Sequence, residues 1–163
     1  SDEEVSFTDA NTKVNPPLRG REDVEAIKKG LTEGVIDCIA TDHAPHHADE
    51  KNVEFNLAAS GISGLETSFA LCYTQLVRGG LMDLSGLLRL MSASPARITG
   101  LEAGALKKGM PADIAIADLE RPFRIDVNKF YSKGKNNPFN SREVYGKIKY
   151  TVLGGEIVYK SEN

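Results

Sequence analysis

The apolar positions Val24, Ile27 and Leu31 recur at i, i+3 and i+7 with Glu and Lys between them, a spacing that predicts an amphipathic helix closing at Gly34. Before it, residues 5–14 contain a short strand. The run Asn15-Pro16-Pro17-Leu18-Arg19 stops that strand, because two prolines remove backbone donors and fix φ. After the helix, residues 35–40 are apolar without clear polar alternation, the pattern of a buried parallel strand. Strand, helix and strand make a βαβ unit with a right-handed crossover, whose functional residues gather beyond the carboxyl ends of the strands. Asn15 and Asp42 occupy equivalent places there.

Further along, Ser63-Gly64-Leu65-Glu66 has the spacing of a capping box, and Leu65, Phe69, Cys72 and Leu76 form one helical face ending at Gly79-Gly80. A second helix starts at Asp83 and buries Leu84, Leu87, Leu88 and Met91. A short third has Ser94 as N-cap and Pro95 at its first position. The period then changes. Residues 113–118 alternate, and residues 147–153 join residues 156–159 through Gly154-Gly155, a strong hairpin signal. Between them, residues 133–140 are rich in Gly, Asn and Lys and read as an exposed loop. The chain thus divides into an α/β part, residues 1–104, and a β-rich tail, residues 105–163, without internal repeats.

Composition narrows the class. The balance is slightly acidic, with net charge -3, 26% charged and 40% hydrophobic residues, which suits a sizeable core. There is no basic excess interleaved with aromatics for nucleic acid, and no apolar run near the roughly 20 residues that span a bilayer. Cys38 and Cys72 each sit in an apolar pattern, which favours small buried hydrophobes over a disulfide and points to a reducing, cytoplasmic compartment. The opening Ser1-Asp2-Glu3-Glu4 shows neither a signal peptide nor an initiator Met, which leaves the natural N-terminus open.

The candidate chemistry lies at residues 40–47, Ala-Thr-Asp-His-Ala-Pro-His-His, which contain all 3 histidines. A carboxylate such as Asp42 at a strand end can bind a divalent metal with one oxygen and relay a proton with the other, which suits hydrolysis. His46, across a stiffening proline, could bind an anionic substrate or a metal. His43 is a candidate for structural support and His47 for an exposed neighbour. The plainer alternative is a solvated turn that Asp42 caps. Asn15 likewise reads as a turn residue before Pro or as a functional one. Gly61 and Gly64 either let backbone amides approach a ligand or simply shape a loop.

Read together, Val14-Asn15-Pro16-Pro17-Leu18-Arg19, Ile39-Ala40-Thr41-Asp42-His43-Ala44-Pro45-His46 and Ser60-Gly61-Ile62-Ser63-Gly64-Leu65-Glu66-Thr67 resemble the C-terminal part of the bacterial type I dihydroorotase family. Ser94-Pro95-Ala96-Arg97, Gly109-Met110-Pro111-Ala112-Asp113-Ile114 and Thr151-Val152-Leu153-Gly154-Gly155-Glu156-Ile157-Val158-Tyr159 follow in the family's order. The Asp-His-Ala-Pro-His block is specific to this branch. The tail motifs are shared among cyclic amidohydrolases.

The resemblance implies a (β/α)₈ barrel with a metal centre, usually zinc, and a small β-rich composite sandwich segment. It also implies interconversion of dihydroorotate and N-carbamoyl-aspartate in pyrimidine synthesis. By motif, Asp42 is similar to the metal-ligating carboxylate that takes a proton from the attacking water and passes it to the departing ring nitrogen. His46 and Asn15 are similar to substrate-binding positions, and Ser60-Gly61 to the backbone segment that also contacts the substrate carboxylate. A hydantoinase or allantoinase, and a non-catalytic dihydroorotase-like scaffold of aspartate transcarbamoylase, are the alternatives. The family's remaining metal ligands have no counterpart in these 163 residues, and a full barrel takes roughly 250. The expected partners are therefore the missing N-terminal part of the enzyme, a second copy in a homodimer, or aspartate transcarbamoylase. An isolated copy of the chain is expected to be catalytically silent, and a dihydroorotate turnover assay checks this.

Overall fold

The computed structural model of the chain describes Ser1–Glu162. It forms two compact units that alternate along the sequence. One comprises Ser1–Glu33, Thr41–Ser68 and Arg124–Glu143. The other comprises Gly34–Ala40, Phe69–Phe123 and the chain from Val144 onward.

In the first unit the only long helix is α1, Arg21–Thr32, with Glu22 and Asp23 in its first turn and Lys29 in its last, each sign complementing the helix dipole. Leu31 is buried, Val24 half-buried and Ile27 exposed, so only part of the predicted stripe is covered. A four-residue helix, α2, Ala48–Lys51, follows the histidine run. The rest is loop with 3-10 turns, held by bonds distant in sequence. Gly61 N–H donates to Lys13 O (3.0 Å), Ala44 N–H to Ile62 O (3.0 Å) and Ser63 N–H to Asn136 O (2.9 Å).

The second unit pairs a helical hairpin with an antiparallel sheet. Helix α3, Ser68–Cys72, runs into a π turn over Tyr73–Val77. Helix α4, Leu84–Leu88, is capped by the Asp83 carboxylate accepting from Gly86 N–H (2.7 Å). A second π turn, Arg89–Ala93, leads into α5, Ser94–Thr99. Tyr73, Leu87, Leu90, Ala96 and Val144 are buried. Strands β1 (Ile114–Asp118), β4 (Lys147–Leu153) and β5 (Glu156–Lys160) form a sheet of order β1-β4-β5, both pairs antiparallel. The short strands β2 (Phe123–Arg124) and β3 (Glu143–Val144) pair separately. Cys38 and Cys72 are free, half-buried thiols, and burial pushes the Cys72 thiol up. Among the described residues no helix is long and apolar enough to cross a membrane.

Four expectations are corrected. Residues 5–14 form no strand but a turn at Phe7–Thr8, closed by Asp9 N–H donating to Ser6 O (3.0 Å), followed by the 3-10 turn Ala10–Thr12. Residues 35–40 form no strand either: Val35 is 73% exposed, and Ile39 N–H donates to Leu90 O (2.9 Å) rather than to a neighbouring strand. A parallel strand persists only where neighbours on its edges take its hydrogen bonds. Among the described residues the parallel pairing present is the bridge His43↔Ile62. Ser63 and Glu66 do not cap a helix, because Glu66 accepts from the amides of Tyr131 and Ser132 and Ser63 Oγ bonds Ser132 Oγ. Ser94 is no N-cap, since Ala93 before it is already helical. The predicted 147–159 hairpin is present.

Leu87 has no exposed surface and sits at the centre of the helical hairpin. Leu87→Ala is expected to destabilise the chain by about 2–5 kcal/mol, read as a lowered urea midpoint.

Candidate functional site

The histidine run and the loop over residues 58–64 lie side by side in the first unit, joined by the His43↔Ile62 bridge and the Ala44 to Ile62 hydrogen bond. Across this seam the His46 ring places Nε2 3.1 Å from Ser60 O. A carbonyl only accepts, so Nε2 carries the proton in this contact. Nδ1 lies 3.4 Å from Glu50 Oε2. The backbone N–H of His46 donates to Asn136 Oδ1 (2.9 Å).

Asp42, four residues earlier on the same loop, is exposed and has φ 44, in the left-handed region that most L-residues avoid. Left-handed backbone is uncommon outside glycine, and its occurrence at a carboxylate that tolerates it motivates a functional reading. Asn15 is also exposed, at a cis peptide bond to Pro16.

Gly61 is saturated. Its N–H donates to Lys13 O (3.0 Å), and its carbonyl accepts from Lys51 Nζ (3.2 Å) and Asn136 Nδ2 (3.0 Å). Its φ is 144, and a Cβ there would stand 2.6 Å from Ala44 Cβ and 3.2 Å from His46 Nε2, so only glycine fits the seam. The structure thus brings His46, Ser60 and Gly61 into contact. Asp42 lies four residues before His46 in the chain, and Asn15 two residues after Lys13, whose carbonyl accepts from Gly61 N–H.

The other two histidines serve the backbone. His43 Nδ1 accepts from Leu65 N–H (3.2 Å), the supporting role expected of it. His47, expected to be an exposed neighbour, is exposed but also caps α2. Its Nδ1 accepts from Asp49 N–H (3.2 Å), and Glu50 reaches back to His47 N–H (2.9 Å). That backbone hydrogen bond, assisted by His46, holds the Glu50 carboxyl below its ordinary 4.5.

The support that sequence reasoning missed lies at residues 133–140, expected to be an exposed loop. Asn136 and Asn137 are buried at 4% and 3% exposure. Asn137 Nδ2 donates to Ser63 O (3.0 Å) and Thr67 Oγ1 (3.3 Å). Gly134 packs so closely that a Cβ would fall 2.6 Å from Pro45 Cβ and 2.8 Å from His46 N. Lys51, also missed, is 5% exposed and donates to Ala59 O (2.8 Å) and Gly61 O (3.2 Å), and burial holds its ammonium below the ordinary 10.5. The Gly-Lys-Asn-Asn run was the available signal, but asparagine density reads equally as solvent loop. An open cleft of about 490 Å³ is lined by Pro45, His46, His47, Ala48, Lys133 and Gly134.

Among the described residues no group of three or more His, Cys, Asp or Glu side chains is placed to hold a metal ion. Two of the three histidines spend a ring nitrogen on backbone amides. The donor set does not fit a complete metal centre, and Asp42 stands as a single exposed carboxylate.

Residues 5–158 match the model of the amidohydrolase family. The dihydroorotase of Acetivibrio thermocellus is 52% identical over 156 residues, covering 94% of this chain and 37% of the relative. That of Citrifermentans bemidjiense is 50% identical over 161 residues, covering 99% and 38%. The chain therefore spans well under half the length of these curated relatives. Among solved structures, the L-hydantoinase (dihydropyrimidinase) of Arthrobacter aurescens is 30% identical with a TM-score of 0.87, covering 98% of this chain and 36% of its own. The D-hydantoinase of Bacillus sp. AR9 is 25% identical with a TM-score of 0.84, covering 93% and 34%.

Because the folded-state value of Glu50 is depressed, its contribution to stability is fully present above its unfolded value and is lost as pH falls through the lowered folded value. Glu50→Gln is therefore expected to narrow the stability difference from the parent as the solution is acidified below about 4.5, measured as urea midpoints across pH.

Proposed function

The chain belongs to the amidohydrolase family, a TIM-barrel-like class of hydrolases, and on that premise we propose that it forms the C-terminal portion of a dihydroorotase. The supporting observation is identity of about half of all positions to dihydroorotases over nearly the whole chain. In this reading residues 1–104 complete the barrel and residues 105–163 belong to a small β-rich sandwich segment. The enzyme acts in pyrimidine synthesis in the cytoplasm, with a second copy or aspartate transcarbamoylase as its candidate partners.

Hydrolysis of dihydroorotate adds water across the ring amide. The water oxygen bonds to the carbonyl carbon, the carbon–nitrogen bond breaks, and one proton moves from water to the departing nitrogen. Asp42 is the residue for that transfer, since an exposed carboxylate can accept the proton and return it within one turnover. His46, beside the Ser60–Gly61 segment, is the residue for binding the substrate carboxylate. Asn15 contributes polar contacts at the same site, and Ser60-Gly61 forms its backbone wall. Gly61 shapes that wall through its position, because its own N–H is already bonded to Lys13 O. A zinc centre with Asp42 among its ligands belongs to this reading. Its other donors come from residues outside this chain.

The likeness to hydantoinases favours one second reading, a hydantoin-type ring as substrate. In the complete protein, Asp42→Asn is expected to lower kcat on dihydroorotate by about 10² to 10⁴-fold. His46→Ala is expected chiefly to raise KM. Steady-state assays on dihydroorotate and hydantoin side by side check both. Faster turnover of hydantoin would replace dihydroorotase with the second reading.

A further inference from the structure

We infer that Asn136 is a positioning residue whose side-chain amide fixes the spacing between the His46 loop and the Ser60–Gly61 segment, and through that spacing the affinity for a carboxylate-bearing substrate. The substrate half of this inference rests on the proposed dihydroorotase reading. The positioning half rests on geometry alone.

The Asn136 side chain makes three bonds. Oδ1 accepts from His46 N–H (2.9 Å), and Nδ2 donates to Ala44 O (3.0 Å) and Gly61 O (3.0 Å). One acceptor contact and both amide protons are thereby used, which also fixes which way the amide points. The three partners lie 90, 92 and 75 residues away in sequence. One side chain therefore holds both walls of the seam across which His46 Nε2 meets Ser60 O. Its own backbone carbonyl accepts from Ser63 N–H (2.9 Å), and Asn137 beside it is bonded to Ser63 O, so the loop carrying the amide is itself anchored.

No other side chain meets the same demands. Aspartate keeps the acceptor for His46 N–H but sets an oxygen against two carbonyl oxygens. Glutamine adds a methylene at a position only 4% exposed and shifts its amide away from the three partners that Asn136 reaches. Alanine leaves a buried amide and two carbonyls to find other partners. Asp42 is outside this network. Loss of the amide therefore changes where the substrate carboxylate is held without altering the group that transfers the proton.

The test uses the complete protein with Asn136→Ala and Asn136→Asp, the second covering the case in which the first fails to fold. Each is expected to raise KM for dihydroorotate by about tenfold while kcat falls by less than about threefold, the pattern of lost binding rather than lost chemistry. An unchanged KM, or a fall in kcat with KM constant, overturns the inference. Amide hydrogen exchange supplies a readout independent of substrate. Exchange at the Ala44 and His46 amides is expected to quicken, about tenfold at both in Asn136→Ala and at Ala44 in Asn136→Asp, where the His46 N–H acceptor is kept, while α1 exchanges as in the parent. Unchanged exchange at residues 44–46 overturns the inference. A parent protein that does not turn over dihydroorotate overturns the proposed function, and hydrogen exchange then decides the positioning role alone.

Discussion

A loop taken out of water must find partners for its own amides and carbonyls, and the first unit of this protein meets that demand almost without a sheet. Its only pairing of strand type near the site is the bridge His43↔Ile62. Side chains supply the remaining partners. Lys13 and Lys51 each donate to two carbonyls of the loop over residues 56–61, Asn136 ties that loop to the histidine run, Asn137 donates to Ser63 O and Thr67 Oγ1, and Glu66 accepts two amides from residues 131–132. Two ammonium groups are thus spent on backbone, in one case buried deeply enough to depress its proton affinity. A charge-assisted bond is stronger than a neutral one, which suits carbonyls that would otherwise be orphaned.

What was legible in the sequence follows from how local each signal is. Helix α1 and the β4–β5 hairpin depend on periodicity and on a two-glycine turn, both contained within a few residues, and both are present. That residues 35–40 form no strand was not legible, because an apolar run becomes a strand only where neighbours pair with it, and periodicity carries no information about neighbours. Residues 133–140 failed for a related reason. Asn136 and Asn137 are polar by composition, yet each is consumed by partners more than 60 residues away, a distance at which no spacing rule operates. The candidate site was legible as a set of residue types around Asp42 and His46. Its scaffolding was not.

The division of labour inside the histidine run sharpens its chemistry. Adjacent imidazoles invite a metal-cluster reading, but His43 and His47 act as hydrogen-bond acceptors for backbone amides. His46 differs in that carbonyl and carboxylate oxygens face its two nitrogens. Three residues identical in type are separated by what surrounds their nitrogens, the feature that decides whether an imidazole serves structure or substrate.

The left-handed backbone at Asp42 bears on how variation at this position is to be read. Glycine, asparagine and aspartate tolerate that conformation, whereas β-branched and bulky side chains resist it. In a saturation library most replacements at position 42 would be depleted for the backbone alone, whatever the side chain does chemically. Depletion by itself therefore conveys nothing about proton transfer. The informative comparison is among the few conformationally permitted residues, and this conformational filter narrows the routes by which a lineage could exchange this carboxylate for another group.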